Sequence, residues 1–184
     1  ITVSENSFKD ISHDHKVDPA RMKIVPVGVD PSLFLPVPFI ERTPGMLITT
    51  ASADVAMKGL RYLLEAVAKL RTERPEVTLT VIGRPKEGGE SARTIADLGL
   101  EDAVTFVSGV SDERIVELYS EAEAAVVPSL YEGFSLPAIE AMSCAIPLVA
   151  TTGGAIPEVV GPDGETAFSV PPGDSESLAA KIAW

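Results

Sequence analysis

Glu132 and Glu140 stand in the run Pro128-Ser129-Leu130-Tyr131-Glu132-Gly133-Phe134-Ser135-Leu136-Pro137-Ala138-Ile139-Glu140. A carboxylate accepts two hydroxyls at once, which matches a ribose diol or one edge of a hexose. Pro137 opens a helix, because its fixed φ suits the first turn and its missing N–H is not needed there. Ser135 is placed to cap that helix. Glu132 then falls in the loop and Glu140 in the first helical turn, so both carboxylates can face one crevice. The free N–H groups from Gly133 to Leu136 attract an anion. Two hydroxyl-seeking groups beside an anion-seeking helix end suit a sugar joined to a phosphate. Spacing alone also fits two solvated surface glutamates, the ordinary state of this residue.

Lys58, in Ala56-Met57-Lys58-Gly59-Leu60, follows the first clear strand and begins its helix. A lysine there can reach a diphosphate at the same sheet edge. A helix start slightly disfavours a cation, which favours a ligand role over that of a plain surface lysine.

The elements that must hold these residues follow from hydrophobic period. Apolar runs predict strands at 46–50, 77–82, 104–107, 124–127, 147–150 and 167–170. Helical spacing predicts helices at 60–72, 91–98, 112–121, 136–144 and 156–160, and one beginning near Asp174. Alternating strands and helices with apolar strands imply an α/β fold, a Rossmann-like parallel sheet covered on both faces. Ligands in such sheets bind outside the carboxyl ends of the strands, where Glu132 lies. Ahead of this, residues 1–3 read as a strand remnant, 4–21 as a short helix plus turn, and 23–27 as strand-like. The proline-rich stretch 31–44 reads as a connector. The expected division is a linker and domain entry over 1–44, leading into one Rossmann-like domain over 45–184.

The net charge of −12 argues against nucleic acid, whose phosphates need clustered Lys and Arg, and against an anionic membrane surface. With one cysteine, Cys144, no intrachain disulfide or Cys-rich metal site is possible. Cys144 reads as core packing. His13 and His15 have metal-like spacing but no third ligand nearby, so no metal is expected. Gly-X-Gly-X-X-Gly, P-loop and Gly-X-Ser-X-Gly patterns do not occur. Gly153-Gly154 reads as a turn or as a place where backbone meets ligand, and Glu158 as a surface residue first, with a cap or a ligand contact as the alternatives. No apolar run reaches membrane-spanning length. The sequence opens at Ile1 and stops at Trp184 inside a helical pattern, so a piece of a longer protein is expected.

Taken in order, Lys58-Gly59-Leu60, Phe106-Val107-Ser108-Gly109-Val110, Pro128-Ser129, Glu132-Gly133-Phe134, Leu136-Pro137 and Glu140-Ala141-Met142 resemble retaining GT-B glycosyltransferases of glycosyltransferase family 4. Pro147-Leu148-Val149-Ala150, Gly153-Gly154 and Pro157-Glu158-Val159-Val160 extend the likeness. Val27-Gly28-Val29-Asp30 resembles that family's interdomain linker.

The resemblance implies the C-terminal, donor-binding half of a two-domain enzyme. Its donor would be a nucleotide-diphosphate-sugar, used without metal or other cofactor. Glu140 would hold the ribose hydroxyls. Glu132, with Gly133, Phe134, Ser135 and Leu136, would contact the transferred sugar. Lys58 would neutralise the departing diphosphate. The base would lie near Val110 and Arg84. The acceptor would be bound by the absent N-terminal domain, so this half alone is expected to bind donor without transferring sugar. Cytoplasmic residence is expected, with any membrane attachment made through that other half. One departure stands out: the family's Arg, five or six residues before the Lys, is replaced here by Ala53 and Ser52. Either Arg84, Lys86 or the other domain compensates, or the donor binds weakly. A non-catalytic nucleotide-sugar-binding module and a nucleotide-sugar epimerase are the rival readings.

Overall fold

The computed structural model describes residues 1–51 and 55–183. Six parallel strands form one sheet in the order β3-β2-β1-β4-β5-β6. They are β1 (Thr43–Thr50), β2 (Thr78–Ile82), β3 (Val104–Val107), β4 (Ala122–Val127), β5 (Leu148–Thr151) and β6 (Phe168–Val170). The helices are α1 (Glu5–Asp14), α2 (Leu60–Arg71), α3 (Glu90–Leu98), α4 (Asp112–Glu121), α5 (Leu136–Ser143), α6 (Ile156–Val160) and α7 (Ser175–Ala183). The expected Rossmann-like sheet, with helices on both faces, is present. None of the described helices is long and apolar enough to cross a membrane.

The chain leaves β1 for β2 and β3 on one side, then returns to place β4 on the other side of β1. Helices on either side of this reversal diverge and open a crevice above the carboxyl ends of β1 and β4. On one face, Leu63, Leu64 and Val67 of α2 and Leu178 of α7 pack on Leu47, Leu79 and Val81. On the other, Val116 and Tyr119 of α4, Ala138 and Ala141 of α5, and Ile156 of α6 pack on Ile48, Ala125 and Leu148.

Two local expectations change. Residues 23–27 form no strand: a single bridge joins Thr2 to Ile24, and Val25 and Val27 are exposed. β1 begins at Thr43, earlier than expected, because Thr43 pairs with Ala122 across a register shift and the Glu123 carboxylate accepts from the Gly45 N–H at 2.6 Å. Within the proline-rich connector, Leu33, Phe34 and Val37 pack against the α4–α6 face.

Candidate functional site at the β1–β4 crevice

β4 ends at Val127 and the chain runs through residues 128–135 before α5. Three segments are stitched together here. Leu130 N–H donates to the Met57 carbonyl at 2.8 Å, tying the loop after β4 to the loop after β1. Ala155 N–H donates to the Glu132 carbonyl at 2.8 Å, tying it to the loop after β5. The buried Thr151 hydroxyl donates to the Ser129 carbonyl. Two glycines permit this closeness. A Cβ on Gly59 (φ +65°) would lie 1.9 Å from the Pro128 carbonyl oxygen, and one on Gly154 (φ +63°) 2.3 Å from that of Glu132. Both also hold left-handed conformations that side chains resist. Gly153-Gly154 therefore lets backbone approach backbone, which accounts for the pair without a ligand.

On this frame Lys58 Nζ donates to Glu132 Oε1 at 2.7 Å, and the Ser129 hydroxyl donates to the same oxygen at 2.7 Å. The side chains are 27 % and 13 % exposed, so the pair is partly withdrawn from water. Nζ has three donors and one is used by Glu132. Among the described residues the other two have no partner and can serve an oxyanion. Arg61, which sequence reading passed over, lines the same concavity as Lys58, Ala51 and Leu130. Its guanidinium is already paired with Glu65 at 3.1 Å and Glu90 at 3.8 Å.

Glu140 is the fifth residue of α5, opening the second turn rather than sitting in the first. Its Oε2 accepts from the Tyr119 hydroxyl at 3.2 Å, which lies 3.3 Å from the Thr50 hydroxyl at the carboxyl end of β1. Burial lifts the Glu140 carboxyl above the usual carboxylate range, the Tyr119 hydroxyl pulls it down, and Asp112 pushes it up. Burial, with Glu140 nearby, drives the Tyr119 phenol upward, so it stays a donor. Burial likewise pushes the Cys144 thiol up to about 11, and the residue packs in the α4–α6 core. Tyr119 lies within α4 and Ser129 just after β4, and no local sequence pattern marks either hydroxyl as a partner of a site carboxylate.

Ser135 departs from expectation. It occupies the N-cap position of α5, but its side chain makes no capping bond and its φ is 111°. Its hydroxyl is buried and has no partner among the described residues. A non-glycine held in that region is strained. The N–H groups of Gly133, Phe134 and Ser135 find no acceptor among the described residues. Phe134 is half-buried and Leu136 is exposed. Donor groups therefore collect at the start of α5, where the helix dipole favours negative charge.

Val110 is half-buried after β3, and Arg84 is exposed after β2, as is Lys86. All three follow strands at the same sheet edge. Ser52 and Ala53 lie outside the described residues. His13 Nδ1 lies 2.8 Å from Asp14 Oδ1 on the exposed surface. Among the described residues no group of three or more His, Cys, Asp or Glu is arranged to hold a metal ion. Glu158 does act as a cap, though of a distant helix: its carboxylate accepts from the N–H groups of Glu5 and Asn6 in α1, at 2.9 and 2.7 Å.

The family model described as "Glycosyl transferases group 1" matches residues 40–184. An MMP alpha-(1->4)-mannosyltransferase from Mycolicibacterium hassiacum is 48% identical over 182 residues, covering 99% of this chain and 44% of its own length. The chain thus spans less than half of that relative. A sucrose-phosphate synthase structure from Thermosynechococcus elongatus superimposes with a TM-score of 0.82 at 29% identity, over 99% of this chain and 47% of that one. The Anabaena protein HepE, solved with UDP and glucose, superimposes with a TM-score of 0.84 at 25% identity, over 99% of this chain and 51% of that one. The sheet order, the crevice at the strand reversal and the family match agree: this chain belongs to the group 1 glycosyl transferases and has the Rossmann-like fold of GT-B glycosyltransferase structures.

Proposed function

We propose that this chain is the donor-binding half of a retaining, metal-independent glycosyltransferase of family 4, taking a nucleotide-diphosphate-sugar. The observation that carries the reading is the Lys58–Glu132–Ser129 cluster at the strand reversal, beside the free N–H groups that open α5. Glu140 accepts the ribose hydroxyls, and the base lies toward Val110 and Arg84. The two free Nζ donors of Lys58 meet the diphosphate and stabilise its charge as it leaves. Glu132 and the backbone of residues 133–136 hold the sugar. Glu132 accepts from both Lys58 and Ser129, which makes it a positioning group rather than a nucleophile. The mannosyltransferase relative favours a mannosyl unit as the group transferred. The other half of the enzyme supplies the acceptor site.

The clamp is short of charge, because Glu132 already partners Lys58 and the family's second cation is replaced at Ser52 or Ala53. Arg84 and Lys86, both exposed at the same sheet edge, are the cations that would make up the charge.

The test is thermal unfolding with UDP-, GDP- and ADP-linked mannose and glucose. A ligand that binds only the folded state raises the melting temperature. At least one of these sugars should do so saturably, and Lys58→Ala should remove the rise. No shift with any of them would overturn the reading. Sugar transfer by the 184-residue chain alone would overturn the division between halves.

A further inference from the structure

The carbonyl of Gly133, inside the donor loop, is gripped by a segment more than a hundred residues earlier. Ser4 Oγ donates to it at 2.7 Å and Ser7 Oγ at 3.1 Å. Both serines belong to the start of α1, ahead of the part of the chain matched by the family model. The start of α1 is itself tightly held. Glu158 accepts from the N–H groups of Glu5 and Asn6, and the Ser4 hydroxyl accepts from Ser7 N–H at 3.0 Å. These are the N–H groups of the first three helical residues, two of them held by a carboxylate on α6. One turn on, the Asn6 amide donates to Asp10 at 2.9 Å and to the Tyr131 hydroxyl at 3.1 Å, and Tyr131 donates to Asp10. α1 is thus bonded to residues on both sides of Glu132 and to the helix after β5.

A peptide unit is planar and trans, so the carbonyl of one residue and the N–H of the next point in opposite directions. Two hydroxyls drawing the Gly133 oxygen toward α1 therefore turn the Phe134 N–H away from α1. That N–H has no acceptor among the described residues. Space at Gly133 is matched to the contact: a Cβ there would sit 3.3 Å from Ser7 Oγ.

We infer that Ser4 and Ser7 are positioning residues for the donor loop, fixing the Gly133–Phe134 peptide so that its N–H is presented to the transferred sugar, with Glu158 holding α1 in place. This rests on the donor-site reading above and adds to it a dependence on α1. The consequence is selective. Nucleotide and diphosphate are held by Glu140 and Lys58, which α1 does not touch, so the serines affect the sugar and not the nucleotide.

The experiment is calorimetric titration of the chain, its Ser4→Ala/Ser7→Ala double variant and Ser7→Ala alone. The probes are two matched pairs, UDP-glucose with UDP and GDP-mannose with GDP. Ser7→Ala leaves both caps of α1 intact and substitutes a better helix former, so folding is preserved. Loss of one hydrogen bond predicts roughly threefold weaker binding of the nucleotide sugar to Ser7→Ala, and roughly tenfold weaker to the double variant. Affinity for the nucleoside diphosphate should be unchanged in both. Equal affinity of wild type and both variants for the nucleotide sugar overturns the inference. Parallel weakening of sugar and diphosphate also overturns it, since that marks general disruption of the fold. If wild type binds neither member of either pair, the donor-site reading fails first and the inference falls with it.

Discussion

Beneath α2, α3 and α7 the sheet is closed by Leu47, Leu63, Leu64, Leu70, Leu79 and Val81, with Leu100 and Leu178 filling in behind. Beneath α4, α5 and α6 the branched side chains of Ile48, Leu118, Leu148 and Ile156 are interleaved with Ala122, Ala125, Ala138, Ala141, Ala150 and Ala167, and this face carries the buried hydroxyl of Tyr119 reaching Glu140. Large branched side chains bury more apolar area per residue and dominate stability. Small ones let α5 lie close to β4 and β5, which brings its N-terminal end over the strand reversal. Both faces bury large branched side chains, but the second sets small ones among them where a helix end and a carboxylate come to the crevice.

That contrast is broken or sharpened by substitutions on each side. The largest effect belongs to the first face. Leu64→Ala, fully buried, should destabilise the chain by about 3 kcal/mol in urea unfolding. Nucleotide-sugar affinity measured where the variant is still folded should not change.

Glu140→Gln on the second face should weaken nucleotide-sugar binding by about 2 kcal/mol, as expected for losing hydrogen bonds to a charged acceptor. Its pH signature is more telling than its size. Because burial raises the folded carboxyl above its unfolded value, the folded state binds the extra proton between those two values. The Glu140 contribution to stability should therefore fall as pH rises through that window, with the penalty fully present above the folded value. Donor affinity should move the opposite way, rising with pH as the carboxylate forms. The difference between wild type and the Gln variant should carry both slopes. Parallel slopes in wild type and variant, measured by melts and titrations across the acidic range, would remove Glu140 from the site.

Tyr119→Phe should have the smallest effect, about 1 kcal/mol in stability, since one hydroxyl is lost at nearly constant volume. Without that hydroxyl the Glu140 carboxyl rises further, so the onset of donor binding should shift to higher pH. An unshifted onset would show that Tyr119 does not tune the carboxylate.

The elements were legible because strands buried on both faces appear as unbroken apolar runs, and helices between them keep a 3.6-residue stripe. The bounds of α4 match the expectation, and at its start Ser111 caps it, accepting from Arg114 N–H. Placing Lys58 and Glu132 at one sheet edge was legible from the strand ends, but the ion pair between them was not. What escaped depends on contacts far apart in sequence. Glu158 capping α1, Tyr119 serving Glu140, and two serines on the Gly133 carbonyl leave no local pattern. Ser135 misled for a related reason: Ser is a good cap in extended backbone, but the tight link from Glu132 into α5 forces it to a positive φ, where its hydroxyl turns inward.

The most direct measurement of the central claim is amide NMR of the chain titrated with a nucleotide sugar that raises its melting temperature. Perturbations should cluster at Lys58 and Gly59, across residues 132–136, and at Glu140. Perturbations gathered elsewhere, such as between Phe168 and Lys181, with those residues silent, would contradict a donor site at the β1–β4 crevice.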